Sequence, residues 1–200
     1  MSTRPRRLVA AVAVLVTLAV SGCGSDAAST GETEVEVDTP AQQALKEEAG
    51  IEPCAPGPGG GGLPDLTLPC LGGGLDINLA SLRGPMLLNI WYSACAPCRE
   101  EMPALQAFHD EHDGKVAVLG IDVERRPEAA IEFAGEVGAT YPQVADPAGT
   151  VFDQPDLKLT SAFPQTILID ADGQVVAQQA GEFESADEID AFVADHVDLK

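Results

Sequence analysis

Basic residues are scarce in this chain of 200 residues. Lysine and arginine together number 11 against 32 aspartates and glutamates, and the formal net charge is −21. Such a surface repels phosphate backbones and anionic headgroups, so the composition argues against binding nucleic acid or membranes through charge. The same acidic balance is typical of a soluble secreted domain.

The sequence also lacks an apolar run long enough to serve comfortably as a permanent membrane-spanning helix. Its N-terminal run extends from Leu8 to Val20 and follows three arginines, Arg4, Arg6 and Arg7. A short apolar segment behind a basic stretch is typical of an export signal. We therefore predict a signal peptide at residues 1–22 and a protein that works outside the cytoplasm.

The last residue of this run and the three that follow resemble the bacterial lipobox, with the sequence Val20-Ser21-Gly22-Cys23. In that motif the signal is cleaved before a cysteine that carries a lipid. The resemblance implies that Cys23 is lipidated and anchors the protein to the extracytoplasmic face of a bacterial cell membrane. Ordinary secretion with an incidental Cys23 is the alternative.

Residues 23–62 show little of the hydrophobic periodicity of a folded segment. Small and acidic residues dominate at first, and residues 56–62 are all proline or glycine. Such a composition buries no core, and it predicts a flexible tether over 23–62, with at most a weak helical patch near 41–49. The remaining residues, 63–200, are enough for one folded domain.

Within 63–200 the pattern predicts an α/β domain. Extended pieces at 65–68 and 75–79 flank three glycines, which is typical of a hairpin. Apolar runs predict strands at 86–92, 116–123 and 165–170, and helical periodicity covers 96–112, 127–138 and a last segment after Ser185. This order predicts a central mixed sheet covered by helices on both faces.

The motif Cys95-Ala96-Pro97-Cys98 stands where the first apolar strand gives way to a helix. A helix N-terminus lowers the pKa of the first thiol, so Cys95 is the candidate attacking thiolate and Cys98 the candidate resolving thiol. A zinc knuckle needs four ligands, and the sequence offers no second CxxC or close histidine pair at the usual spacing. We therefore predict no metal, and no cofactor other than the dithiol itself.

Three segments resemble the TlpA/ResA-type thiol–disulfide oxidoreductases of the thioredoxin superfamily: residues 82–84 (LRG), 89–103 (NIWYSACAPCREEMP) and 163–173 (FPQTILIDADG). The resemblance extends over about 63–200 and implies a thioredoxin fold with an N-terminal β-hairpin extension. It implies an enzyme that reduces disulfides of exported client proteins and receives electrons from a membrane thiol donor. Cytochrome c maturation is the use that the resemblance suggests.

The resemblance also assigns roles around the dithiol. It implies that Pro164 is a cis-proline facing the thiols and leaves the backbone of Phe163 free to pair with an extended client segment. Glu101, three residues after Cys98, is expected to accept the proton of that thiol. The alternative for Glu101 is that it only stabilises the helix dipole. Trp91 is a candidate for the client-binding groove, and the alternative is that it lies in the hydrophobic core.

Two positions depart from the thioredoxin pattern. Ala94 stands where family members usually carry tryptophan before the first cysteine, which removes an aromatic from the rim of the groove. Asn89 stands where cytoplasmic thioredoxin has a buried aspartate, and the TlpA/ResA group often has asparagine there.

Cys54 and Cys70 remain once Cys23 is assigned to the lipid and the CxxC motif to catalysis. We predict that they form a structural disulfide that fastens the end of the tether to the hairpin. A relay dithiol that passes electrons to Cys95 is the alternative.

Other functions stay open at this point. An oxidant that introduces disulfides would use the same motif, and a non-catalytic thioredoxin-like domain would use only the groove. A peroxiredoxin would need a threonine and a proline where this sequence has Tyr92 and Leu88.

Overall fold

The structure, a computed structural model, describes residues 35–112 and 114–199. The predicted signal peptide and Cys23 lie outside the described residues. Among the helices that are described, none is long and apolar enough to cross a membrane. The helices are α1 (Pro40–Ala49), α2 (Ala96–Glu111), α3 (Pro127–Val137) and α4 (Ala186–Ala194), and the strands are β1 (Thr67–Leu68), β2 (Ile77–Asn78), β3 (Met86–Trp91), β4 (Ala117–Asp122), β5 (Gln143–Ala145), β6 (Gln165–Ile169) and β7 (Val175–Ala180).

The main sheet has five strands in the order β5-β4-β3-β6-β7, and β1 pairs with β2 in a separate antiparallel hairpin. β3 lies at the centre, parallel to β4 and antiparallel to β6. Its register places Asn89 between Gly120 of β4 and Thr166 of β6. The carboxyl ends of β3 and β4 therefore meet the start of β6 at one edge of the sheet.

Side chains of β3 alternate between two cores. Leu87 and Trp91 belong to the cluster that α2, α3 and α4 cover, whereas Leu88 and Ile90 belong to the cluster under the β1–β2 hairpin. Because β3, β4 and β5 follow one another in parallel, right-handed crossovers place α2 and α3 on the same face. The opposite face is covered by the hairpin and the short 3₁₀ helices Leu79–Ser81, Thr150–Asp153 and Pro155–Leu157, rather than by α-helices.

The prediction of a flexible tether is wrong for residues 35–62. α1 begins with a capping box between Thr39 and Gln42. The amide of Gln42, only 1% exposed, donates to the Glu36 carbonyl at 2.9 Å and to Glu128 of α3 at 2.8 Å. Val37 and Ile51, on either side of α1, are buried in the core of the domain. Polar anchors, which hydrophobic periodicity does not register, hold this helix.

The proline- and glycine-rich stretch also packs against the domain. The amides of Gly59 and Gly61 donate to the carbonyls of Ser81 and Ala80, at 3.0 and 2.9 Å. A Cβ on Gly61 would lie 2.2 Å from the Leu82 carbonyl oxygen, so glycine is needed for this close approach. The glycines therefore allow close backbone contact, and residues 23–34 of the predicted tether lie outside the described part of the chain.

Candidate active site

Cys95 and Cys98 lie at the start of α2, and Cys95 is four residues after the end of β3. Cys95 is the N-cap of the helix, and its Sγ accepts a hydrogen bond from the Cys98 amide at 3.1 Å. The two sulfurs form a disulfide, with Cys95 4% exposed and Cys98 fully buried. The helix dipole and the amide both favour a thiolate at Cys95, which makes Cys95 rather than Cys98 the candidate attacking sulfur.

Phe163 and Pro164 lie at the same edge of the sheet. Gln165, the first residue of β6, pairs with Ile90, so Pro164 lies beyond it at the level where β3 ends. The Phe163–Pro164 peptide bond is cis. The ring of Phe163 packs edge-on against Tyr92, with centroids 5.0 Å apart. The hydrogen bonds between described residues leave the peptide N–H and C=O of Phe163 unused.

Glu101 is a fully buried carboxyl one turn after Cys98 on α2. Its two oxygens accept from the Asn89 amide at 2.6 Å and from the Phe183 backbone N–H at 3.1 Å. Burial raises the pKa of Glu101 to about 7, although both hydrogen bonds oppose the shift; the nearby Glu182 adds to it. Near neutral pH this carboxyl can therefore both take and return a proton.

Trp91 does not lie on the client surface. Its side chain is fully buried, its ring centroid lies 5.9 Å from that of Phe133, and its indole N–H donates to Gln143 at 3.0 Å. The structure thus corrects its candidate role in the groove, because a residue without exposed surface cannot contact a client. Tyr92, half-buried beside Phe163, is the aromatic at that edge.

A set of buried polar groups was not predicted from the sequence. Gln143 of β5 approaches β4 so closely that a Cβ on Gly120 would lie 1.7 Å from its Oε1. Gln143 Nε2, Tyr141 Oη and Asn89 Oδ1 are buried without a hydrogen-bond partner in the described structure. Burial raises the pKa of Tyr141, and the Glu101 carboxylate raises it further, so this group stays protonated.

Asp122 ends β4 at the same edge of the sheet and was also missed. It pairs with Trp91 in the β3–β4 register, and its Oδ1 accepts from the Glu124 amide at 2.9 Å. Burial raises the pKa of Asp122 well above its ordinary value, and the charges of Glu124 and Asp146 raise it further. A charged residue at the end of an apolar strand is the sequence signal that could have identified Asp122 as a candidate site residue.

Arg99 is the cation closest in sequence to the dithiol, and its contacts are elsewhere. Its guanidinium lies 3.9 Å from the ring centroid of Phe133 and donates to the Ser93 carbonyl at 3.2 Å. It also pairs with Glu136 at 3.4 Å. Among the described residues, the hydrogen bond to Cys95 Sγ comes from the Cys98 amide alone.

A possible metal-ligand group in residues 35–112 and 114–199 consists of Glu111, His112 and Asp190. Two of these residues lie at the far end of α2, and His112 Nε2 is 2.5 Å from Asp190 Oδ1. The group contains no cysteine. It offers the dithiol no ligand, and the expectation of no metal stays a prediction.

Cys54 and Cys70 form the second disulfide, as the pairing by elimination predicted. Cys70 also forms an isolated bridge with Val144 of β5, and Cys54 Sγ lies 3.2 Å from the Gln143 carbonyl oxygen. The disulfide therefore fastens the segment after α1 and the hairpin to the edge of the main sheet. Whether it is purely structural stays a prediction.

A pair of cysteines three residues apart at a helix N-terminus, at the end of the central strand of a mixed sheet, is the arrangement of a thiol–disulfide exchange protein. The family model described as AhpC/TSA family matches residues 60–178, more than half of the chain, so the protein belongs to the AhpC/TSA family. Within it, the chain is a thiol–disulfide oxidoreductase of the ResA/DsbE type, as its relatives indicate.

Three similarities support this placement. The chain is 30% identical over 111 residues to the thiol-disulfide oxidoreductase ResA of Bacillus thuringiensis. The aligned region covers 54% of this chain and 62% of ResA, which is less than two thirds of that protein. It is 33% identical over 132 residues to a DsbE homolog of Paracoccus denitrificans, covering 64% of this chain and 68% of the relative. The structure of a secreted thiol-disulfide isomerase from Corynebacterium glutamicum superposes with a TM-score of 0.57 and 31% identity, over 64% of this chain and 81% of that one. The predicted thioredoxin fold is confirmed by neighbours of this kind.

Proposed function

We propose that this protein reduces disulfides of exported proteins on the extracytoplasmic face of the cell membrane, to which a lipid on Cys23 anchors it. The observation that carries the proposal is the pairing of a nearly enclosed dithiol with a buried carboxyl one turn away, whose pKa is about 7. A membrane thiol donor would return the Cys95–Cys98 pair to the reduced state. Cytochrome c maturation, which the resemblance to TlpA/ResA suggests, is one use for such a reductant.

The reaction begins with the reduced dithiol. The Cys95 thiolate attacks one sulfur of a client disulfide, and the other client sulfur leaves as a thiolate that takes a proton. Cys98 then gives its proton to Glu101 and attacks Cys95 Sγ, which releases the second client thiolate and forms the Cys95–Cys98 disulfide. The client gains two electrons and two protons. The proton held by Glu101 passes to the departing thiolate or to water.

Client binding is assigned to the backbone beside Pro164. The unused N–H and C=O groups of Phe163 can pair with an extended segment of a client, in the manner of an added strand. The half-buried rings of Phe163 and Tyr92 form an apolar floor beside them. Because main-chain hydrogen bonds do not depend on the side chains of the client, this mode of binding suits an enzyme with several clients.

The electrostatics of the site favour a reductant over an oxidant. A strongly oxidising dithiol stabilises its thiolate, and a neighbouring cation is one way to do so. Here Arg99 contacts Ser93 and Glu136, and the buried carboxyl one turn from Cys98 is Glu101. When Glu101 is ionised, its charge disfavours a thiolate at Cys98. The disulfide is therefore expected to be the stable form, which makes the reduced pair a good electron donor.

The reduction potential of the Cys95–Cys98 pair tests the direction. It is measured by equilibration with glutathione buffers in a Cys54→Ala/Cys70→Ala variant, so that one disulfide contributes. A potential at or below the glutathione poise supports the reductant. A strongly oxidising potential would overturn it in favour of an enzyme that introduces disulfides.

Trapping on a Cys98→Ser variant identifies the clients. Without the resolving thiol, the mixed disulfide with Cys95 persists, and exported proteins with paired cysteines are expected in the trapped material. A Cys95→Ser/Cys98→Ser variant is the matched control. A cellular phenotype that survives Cys95→Ser would contradict catalysis and favour the non-catalytic binding domain.

The lipid anchor has its own test. Replacing Cys23 by serine is expected to release the protein from the membrane fraction and to abolish incorporation of a labelled fatty acid. An unchanged membrane fraction would refute the anchor and leave the dithiol chemistry unaffected. A peroxiredoxin function has little support, because Leu88 lies buried in β3 and Tyr92 packs on Phe163 where that chemistry needs proline and threonine.

A further inference from the structure

A buried lysine lies against the second disulfide. Lys46 of α1 is 8% exposed, and its Nζ lies 3.0 Å from Cys70 Sγ. The same ammonium donates to the Gly73 carbonyl at 2.8 Å. The helix that carries this lysine lies in the segment predicted to be a flexible tether, and neither the fold nor the dithiol chemistry of Cys95 and Cys98 accounts for it.

The present partners of this ammonium compensate its burial poorly. A disulfide sulfur is a neutral and weak acceptor, and burying an ammonium with incomplete partners costs free energy. In the described structure no carboxylate lies within 4.0 Å of Lys46 Nζ. Burial lowers the pKa of Lys46, and the more distant charge of Asp38 partly opposes this. A strong partner would arise if Cys70 became a thiolate, because the ammonium would then form an ion pair with it.

Both cysteines of this pair are nearly enclosed, as those of the catalytic pair are. Cys54 is 4% exposed and Cys70 1%, while the corresponding values for Cys95 and Cys98 are 4% and 0%. A surface cleft beside the pair is lined by Lys46, by Pro53 next to Cys54, and by Gly74. Gly74 adds no side chain there, and a Cβ at its position would lie 3.4 Å from Cys70 Sγ. Cys54 is thus the slightly more exposed of the two residues, and the lysine lies at the more enclosed Cys70.

We propose that Cys54–Cys70 is a second redox site that dithiols reduce, in which Lys46 stabilises Cys70 as the leaving thiolate. A thiolate of the dithiol attacks Cys54 Sγ, the Cys54–Cys70 bond breaks, and Cys70 departs as a thiolate paired with the Lys46 ammonium. The second thiol of the reductant then attacks the reductant's first sulfur, which is bonded to Cys54 in the mixed disulfide, and releases Cys54. Two electrons pass from the dithiol, which leaves as a disulfide. Of its two protons, one ends on Cys54 and the other goes to solvent.

This site is distinct from the proposed function, since it requires neither Cys95 nor Cys98. It also departs from the prediction of a purely structural disulfide. A static disulfide link between the hairpin and the preceding segment does not require a positive charge at position 46. An ammonium placed on the leaving sulfur has a chemical consequence only when the bond opens, because a lower leaving-group pKa speeds thiol–disulfide exchange.

The rate of reduction tests the proposal in a full-length Cys95→Ser/Cys98→Ser background, which leaves one disulfide. Dithiothreitol is the probe, under native conditions, with formation of the two thiols followed by alkylation and mass spectrometry. Lys46→Gln is expected to slow reduction about tenfold, since loss of the cation raises the leaving-group pKa by roughly two units. Lys46→Arg retains the charge and is expected to restore most of the rate. Lys115→Gln, at an exposed lysine, is the matched control and is expected to change nothing.

The pKa of Cys70 gives a readout that a purely structural lysine would not move. It is measured by thiolate absorbance in a variant that retains Cys70 and carries serine at Cys54, Cys95 and Cys98. We expect a pKa below the ordinary value of about 8.5, and a return to that value or above with Lys46→Gln. Circular dichroism confirms that each variant is folded. Reduction that occurs only on global unfolding, or a Cys70 pKa that ignores Lys46, would refute the site and leave the Cys95–Cys98 proposal intact.

Discussion

Replacing Glu101 by glutamine tests the electrostatics at the centre of the proposed mechanism. The carboxyl has a pKa of about 7 in the folded protein against an ordinary value of 4.5, and this difference corresponds to about 3 kcal/mol. Between those two pH values the folded protein retains a proton that the unfolded chain has lost. Stability therefore falls as pH rises from about 4.5 to about 7, and it levels off above the folded-state pKa.

Glutamine has the shape of glutamate but no ionisable proton. The buried partners can accommodate it, because Asn89 can turn its unpartnered Oδ1 toward the new amide and Thr166 can then donate its hydroxyl to the same oxygen. We expect Glu101→Gln and the wild type to have similar free energies of unfolding near pH 4. Near pH 8 the variant is expected to be more stable by as much as about 3 kcal/mol, since it no longer buries a charge.

The assay is urea denaturation of the oxidised protein at a series of pH values, read by the fluorescence of Trp91. Glu100→Gln is the matched control, because Glu100 is the exposed neighbour on the same helix and is expected to show the pH dependence of the wild type. A difference between wild type and Glu101→Gln that stays constant from pH 4 to pH 8 would refute the assigned pKa. It would also remove the main support for Glu101 as the proton acceptor of Cys98.

Three further predictions follow from the described contacts. Replacing both Cys54 and Cys70 by alanine is expected to lower the free energy of unfolding, measured by urea denaturation, by about 3 kcal/mol, because the disulfide links residues 16 apart in sequence. Turnover at Cys95 is expected to be unchanged, and a loss of turnover would indicate a relay between the two cysteine pairs. Trp91→Phe is expected to cost about 1–2 kcal/mol, because it leaves Gln143 Oε1 without its donor, while trapping of clients stays the same; weaker trapping would return Trp91 to the groove. Asp122→Asn is expected to raise thermal stability near pH 8 but not near pH 3, since burial raises the pKa of this carboxyl, and equal melting temperatures at pH 8 would contradict that shift.

The elements with strong local patterns were predicted well. The structure places α2 at Ala96–Glu111 and β4 at Ala117–Asp122, against predictions of 96–112 and 116–123. α3 ends at Val137, followed by Gly138 in the left-handed conformation, as its sequence indicated. In these segments the apolar period and the capping residues agree with the tertiary fold. Local information was therefore sufficient.

Two elements were missed for a different reason. β5 is only three residues long, and one of them is a buried glutamine, so it presents no apolar run. α1 was reduced to a weak helical patch because the side chains it buries are Gln42 and Lys46. Both elements form hydrogen bonds with partners distant in sequence: Trp91 for Gln143, Glu128 for Gln42 and Gly73 for Lys46. No window of neighbouring residues contains that information.

The same contrast divides the site. A motif of four residues predicts the dithiol, because strand, helix N-cap and both sulfurs lie within one stretch of chain. The pKa of Glu101, in contrast, is raised by burial, and it is modified by Phe183 and Glu182, about eighty residues further along, and by Asn89 from β3. Lys46 reaches Cys70 from a helix that precedes the domain predicted from the sequence. Which residues can react was therefore readable from the sequence, whereas the protonation state that determines their reactivity follows from the folding of distant segments around them.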